Sequence, residues 1–164
     1  MKTVNVKNLA LGGMFSAMIL VMTIGLHLPV PATGGYVHLG GGFIFLTAAV
    51  LGPYAAVAAG IGSALADLLG GYFIYIPATF VIKAAMGWIA GRFLSKRSRV
   101  QKIAVFTIAE LIMVLGYFAF EWGLYGIAAA LGAVLPNLMQ GAFGVILGMA
   151  LTEVSSKVLR EKGQ

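Results

Sequence analysis

Apolar residues fall into six stretches, separated by short breaks rich in glycine, proline or basic side chains. The first, about 8–26, is long enough to cross a hydrocarbon core as a helix. Lys2 and Lys7 ahead of it would also suit a signal peptide. No small-x-small cleavage site follows, so it is expected to be a retained helix entering from the cytoplasm. Residues 27–39, His-Leu-Pro-Val-Pro-Ala-Thr-Gly-Gly-Tyr-Val-His-Leu, carry too much proline and glycine to continue it and are expected to form an outer loop. Residues 40–51 are apolar but only about 18 Å long as a helix, short of a bilayer core of roughly 30 Å. Gly52-Pro53 turns the chain, and a third helix follows over about 54–70. After Gly70-Gly71-Tyr72, Pro77 suits the first turn of a fourth helix over about 76–94. A fifth is expected over about 102–122 and a sixth over about 133–156, with 123–132 as a linker. The fold class is therefore all-α, one integral membrane domain spanning 1–164, with six helices in a compact bundle.

Composition supports this pattern. The chain is 60% hydrophobic and only 10% charged, with a mean hydropathy of +0.98, whereas soluble domains carry about 25% charged residues. The net charge of +6 does not point to nucleic acid, because the basic residues form no continuous face. Ten of the eleven Lys and Arg lie in three groups: Lys2 and Lys7; Arg92, Lys96, Arg97, Arg99 and Lys102; and Lys157, Arg160 and Lys162. Six helices with both termini cytoplasmic put all three groups on one side of a membrane, as the positive-inside rule requires. That side is expected to be the cytoplasm and the membrane a cell (plasma) membrane, crossed several times.

The eleventh cation, Lys83, sits inside the fourth apolar stretch. An ammonium at that depth costs several kcal/mol unless it pairs, snorkels or faces a wet cavity, and either helix end is several residues away. Thr79, Lys83 and Gly87 share one stripe of the fourth helix; Glu110, Tyr117 and Glu121 share one of the fifth. Asn137 and Gln140 share a face of the sixth. These stripes can surround a pocket open to the outside, with Glu121 and Asn137 near its mouth, Gln140 a turn lower, and Lys83 roughly 10 Å deep. Lys83 then faces a ligand, alone or with a glutamate; the plainer alternative is a structural ion pair with Glu110 or Asp67. Glu153 and Glu161 are expected to pair or be solvated near the basic tail. Tyr36 and His38 are either solvated loop residues or part of a lid that stacks on a ligand ring. Tyr72, Tyr75 and Trp122 are expected in the interfacial aromatic belt.

Small residues spaced by four recur at Gly13/Ala17, Gly60/Ala64, Gly87/Gly91 and Gly144/Gly148. In lipid, such pairs let helices approach closely. Most should pack within the chain, while Gly13 and Ala17 are the best candidates for docking a second membrane protein. There are no cysteines, which removes disulfides and thiolate chemistry, and no metal-ligand cluster is expected. There is no phosphate-binding loop, nucleophile elbow or His-Glu-x-x-His motif. The chain is not expected to be an enzyme, and energy for uphill transport would come from an ion gradient or from partner subunits.

Gly35-Tyr36-Val37-His38-Leu39-Gly40, Leu51-Gly52-Pro53, Gly62-Ser63-Ala64-Leu65-Ala66-Asp67-Leu68-Leu69-Gly70-Gly71-Tyr72 and Ile82-Lys83-Ala84-Ala85-Met86-Gly87, in that order, carry a family resemblance. The chain resembles the substrate-binding S component of energy-coupling factor (ECF) vitamin importers, in the group that includes riboflavin, hydroxymethylpyrimidine and pyridoxine binders. The likeness covers about residues 8–92 and thins over the last two helices. It implies a vitamin site near the outer face, closed by the loop bearing Tyr36 and His38, and a contact through Gly13 and Ala17 with a membrane coupling subunit. It also implies two ATPase partners that bind ATP and Mg, this chain needing no cofactor of its own. Gly41 stands where many relatives carry an acid, so the lid does not transfer substrate identity. Residue chemistry and resemblance together lead to a binder of a small aromatic vitamin or precursor. Hydroxymethylpyrimidine or a vitamin B6 form comes first, riboflavin next. The alternatives are a stand-alone ion-coupled transporter or channel using Lys83 and Glu110 as a proton relay, and a structural membrane protein whose buried charges merely pair.

Overall fold

The structure, a computed structural model, describes residues 6–25, 27–94 and 97–161, with His27 and residues 157–161 described by backbone alone. Lys2, Lys96 and Lys162 of the basic groups, and Leu26 at the end of the first predicted span, lie outside the described residues. Among the described residues there are six α-helices: α1 Val6–Gly25, α2 Gly40–Leu51, α3 Ala55–Gly70, α4 Ile76–Phe93, α5 Arg99–Tyr125 and α6 Ile127–Glu161. Five segments are long and apolar enough to cross a membrane, because α2, a 3-10 turn at Gly52–Tyr54 and α3 form one apolar run, Gly40–Gly70.

Two parts of the sequence reading need correction. Residues 27–39 are not an irregular loop but an antiparallel hairpin, β1 His27–Val30 paired with β2 Gly35–His38, with Pro29 opposite Tyr36. Pro29 lacks a backbone donor, which a two-stranded ribbon tolerates because both strands are edges. The turn closes when the Thr33 and Gly34 amides donate to the Val30 carbonyl, and Gly34 takes φ 67°. The second correction concerns the expected linker 123–132. Only Gly126 (φ 85°) leaves the helical path; α5 runs to Tyr125 and α6 starts at Ile127. The alanines 128–130 are strong helix formers, and one glycine with positive φ is enough to turn the chain. Helix α5 also begins earlier than expected, at Arg99, because Ser98 and Gln101 form a reciprocal capping box.

Large apolar side chains face outward on every long helix, among them Leu9, Val57, Val81, Leu115 and Ile146. Inside, Phe45 of α2 stacks on Phe106 of α5 with ring centroids 4.1 Å apart. Glycines set the tightest helix contacts. A Cβ on Gly87 would meet the Ala55 carbonyl oxygen at 2.7 Å, and one on Gly91 would run into the Gly52 carbonyl, so α4 lies directly on the start of α3. Gly148 likewise leaves room for Phe45. Gly13 differs: nothing lies within 4 Å of where its Cβ would be, and Ala17 is exposed on the same face of α1. At the basic end, Glu153 pairs with Arg99 at 3.2 Å, both substantially exposed, so this pair adds little stability.

Gly91→Ala should push α4 away from the Gly52 turn and cost about 1–3 kcal/mol, as overpacking of a close contact does. Gly13→Ala, with open space for its Cβ, should not lower stability and should raise it by up to about 1 kcal/mol. Thermal denaturation of the two detergent-purified variants, followed by size-exclusion fluorescence, separates these outcomes.

Candidate functional site: a polar chamber beneath the hairpin

Three side-chain hydrogen bonds fix the hairpin to the bundle. The Tyr36 hydroxyl donates to Asp67 Oδ1 of α3 at 2.7 Å. The His38 amide donates to Gln140 Oε1 of α6 at 2.7 Å. Tyr75, in the 3-10 turn before α4, lies with its hydroxyl 3.1 Å from the Thr33 carbonyl and 3.2 Å from Glu121 Oε1. One phenolic proton serves only one of these acceptors at a time. At the root of the hairpin, His38 Nδ1 accepts from the Gly40 amide at 2.9 Å and so closes the first turn of α2. Burial, then the Asp67 carboxylate, hold the Tyr36 phenol above its ordinary value. It therefore stays protonated and remains a donor through neutral and mildly alkaline pH.

Beneath the hairpin is a chamber of about 20 Å³, room for roughly one water. Of the residues singled out from the sequence, Tyr36, His38, Thr79, Tyr117, Glu121, Asn137 and Gln140 line it. Thr79 and Tyr117 also bond to each other through their hydroxyls at 3.0 Å. Lys83 is not on the lining. Its side chain is fully buried, with Nζ 3.1 Å from Met113 Sδ and 5.5 Å from the centroid of the Tyr117 ring. Gln140 Nε2 reaches the same sulfur at 2.8 Å. A thioether is a weak acceptor, so Met113 is a poor partner for two donors, one of them charged. No ion pair of Lys83 with Glu110 or Asp67 occurs among the described residues, whose one salt bridge joins Arg99 and Glu153.

Glu110, expected on the same stripe as Tyr117 and Glu121, lies deeper, among Gly41 of α2 and Gly141 and Gly144 of α6. A Cβ on Gly41 would come within 2.6 Å of its Oε1, so an acid at position 41 would displace this carboxyl. Gly87, the third member of the α4 stripe, turns to α3 instead.

Two chamber residues escaped the sequence reading. Asp67 was weighed only as an ion-pair partner for Lys83, yet it is buried, lines the chamber and holds Tyr36. Tyr75, assigned to the interfacial belt, is 5% exposed and points inward, whereas Trp122 is 54% exposed as a belt residue should be. The missed signal was position: both residues flank the Gly70-Gly71 turn, which carries them to the hairpin end of the bundle. On the far side of His38 and Gln140, an apolar groove of about 670 Å³ opens between α1, the hairpin and α6.

A family model for the S component of ECF-type riboflavin transporters matches residues 3–157. The chain belongs to this family. It is thus a multi-pass membrane protein and a transporter component rather than an enzyme. The chain is also similar to the thiamine precursor transporter HmpT of Lactococcus lactis subsp. cremoris, 28% identical over 97% of this chain and 91% of that protein. An uncharacterised protein of Pyrococcus woesei is 34% identical over 85% of this chain and 95% of its own length.

Tyr36→Phe removes a hydrogen bond to a charged group, worth about 1.5–3 kcal/mol. The amides of residues 35–38 should then exchange with deuterium roughly 10-fold faster or more, while those of α3 and α4 are unchanged.

Proposed function

We propose that this chain is the substrate-binding subunit of an ATP-driven ECF importer, capturing a small aromatic vitamin or precursor from outside the cell. Hydroxymethylpyrimidine or a vitamin B6 form is the leading substrate, and riboflavin is next. The observation that carries this reading is the polar chamber lined by side chains from α3 to α6 and closed by a tethered hairpin. Family membership supports the importer role, and the thiamine precursor in the name of HmpT favours a pyrimidine. With room for about one water, the chamber must open for any ring, and a single ring needs less opening than a tricyclic flavin.

In this reading the hairpin is the lid, and Tyr36 and His38 belong to it. Lys83 reaches the ligand from below once Met113 moves aside, donating to a ring nitrogen or oxygen. Thr79, Tyr117, Glu121, Asn137 and Gln140 satisfy its amino and hydroxyl groups. Six membrane-embedded helices with both termini in the cytoplasm put the hairpin on the outer side of the plasma membrane. The exposed Gly13 and Ala17 on α1 receive a membrane coupling subunit, and two ATPase subunits supply ATP hydrolysis with Mg. A second reading, a stand-alone proton-coupled carrier, draws on Glu110, whose two carboxyl oxygens are buried without a hydrogen-bond partner near Lys83.

Mass spectrometry of small molecules co-purifying with the detergent-solubilised protein tests the proposal. The wild type should retain a vitamin-sized aromatic compound, and Lys83→Met should bind it at least about 10-fold more weakly. An empty wild type after growth with vitamins present overturns vitamin capture. Uptake that collapses with an uncoupler but persists without ATPase subunits establishes the second reading.

A further inference from the structure

Six side-chain oxygens are buried without a hydrogen-bond partner among the described residues, and two of them belong to residues lining the chamber: Asp67 Oδ2 and Glu121 Oε2. Both residues are almost wholly buried, at 1% and 3% exposure. Each carboxyl group uses its other oxygen to hold a tyrosine, Tyr36 for Asp67 and Tyr75 for Glu121. The Tyr75 proton is shared with the Thr33 carbonyl, so Glu121 is the less well supplied of the two. Leaving a buried acceptor unpaired is costly; both residues line the chamber, with the Thr79 hydroxyl near the Asp67 carboxyl and the Thr33 hydroxyl near that of Glu121. The lining includes no Lys or Arg; its charged residues are both acids.

We infer that Asp67 and Glu121 are the acceptors that select the substrate. The site takes a ring bearing amino, ring N–H or hydroxyl donors, and turns away the phosphorylated form of the same ring. This rests on the vitamin-capture reading and narrows it to a chemical class. An ionised carboxylate accepts but never donates, so it matches an exocyclic amine or a hydroxymethyl group and repels a phosphate ester. A phosphate carries about two negative charges at neutral pH, and close approach to two carboxylates at low dielectric makes the repulsion large. Lys83, packed against Met113 and Tyr117 off the lining, offsets only one of the two negative charges, so the site stays net negative.

The experiment titrates the detergent-solubilised full chain with three compounds and the phosphate ester of each: hydroxymethylpyrimidine, pyridoxine and riboflavin. Whichever parent compound binds should do so at least about 100-fold more tightly than its ester. Asp67→Asn and Glu121→Gln, tested separately so that one folded variant suffices, should each weaken the parent compound and narrow that ratio about 10-fold. The wild-type comparison needs no variant at all. An ester that binds as tightly as its parent, or a ratio unmoved by both substitutions, overturns the inference while leaving vitamin capture standing. If none of the six compounds binds, both fall.

Discussion

A membrane interior offers no water to a polar side chain, so each one carried into it must be answered by another group of the same chain. This constraint organises the hairpin half of the bundle. Lys83, Asp67, Glu110, Glu121, Asn137 and Gln140 are all buried, and they do not solve the problem by pairing charge with charge. They divide it. Asp67 and Glu121 take phenolic protons, Gln140 spans the His38 amide and a sulfur, and Lys83 rests on that sulfur above an aromatic ring. Every arrangement leaves some bonding capacity unused. A chain serving only as a structural span would be under no pressure to keep such residues.

Glycine makes the arrangement sterically feasible. Helix α4 carries Thr79 and Lys83 on a stripe that continues to Gly87 and Gly91, where it meets Ala55 of α3 and the Gly52 turn before it. The close contact at its glycine end thus holds the polar end of the same stripe inward. Around Glu110 the same device admits a carboxyl group rather than a helix backbone: Gly41, Gly141 and Gly144 clear the volume it occupies. Gly13 has no such neighbour among the described residues, and on α1 it is the Ser16 hydroxyl, 2.9 Å from the Gly12 carbonyl, that also lies 3.1 Å from the Ala58 carbonyl of α3. Among the described residues, nothing packs on the outward face at Gly13.

Much of this was legible in the sequence because membrane helices declare themselves by length and hydropathy. The limits of α2 and α3, the turn at Gly71 and the place of Pro77 follow from local rules alone. Helical periodicity likewise brought Tyr117, Glu121, Asn137 and Gln140 to one chamber. What failed depended on information that periodicity does not hold. The hairpin at 27–38 has four-residue strands, one with a proline, too short to show alternation against an apolar background. The Gly126 break was overstretched into a linker because alanine and glycine were counted together, although their helix preferences are opposed. Charge alone offers Asp67 as an alternative partner for Lys83, whereas in the fold the phenol of Tyr36 on the hairpin donates to it. Periodicity puts Lys83 on the wall, but its side chain packs against Met113 and Tyr117, off the lining.

The hairpin's tethers and the chamber's lining are largely the same residues, and this links closure to capture. Asp67 gives Oδ1 to Tyr36 and keeps Oδ2 for the chamber; Gln140 gives Oε1 to the His38 amide and its Nε2 to Met113. A ligand donor that reaches Asp67 Oδ2 need not break the Tyr36 bond, since the two oxygens accept independently. It fixes the carboxylate in the orientation that the tether requires. For Gln140, replacing the weak thioether contact by a better acceptor on the ligand would hold the amide plane that presents Oε1 to His38. On the proposed reading, ligand and hairpin stabilise each other through shared side chains, without any bond between them. By linkage, the factor by which bound ligand favours the closed hairpin equals the factor by which the closed hairpin binds ligand more tightly than the open one.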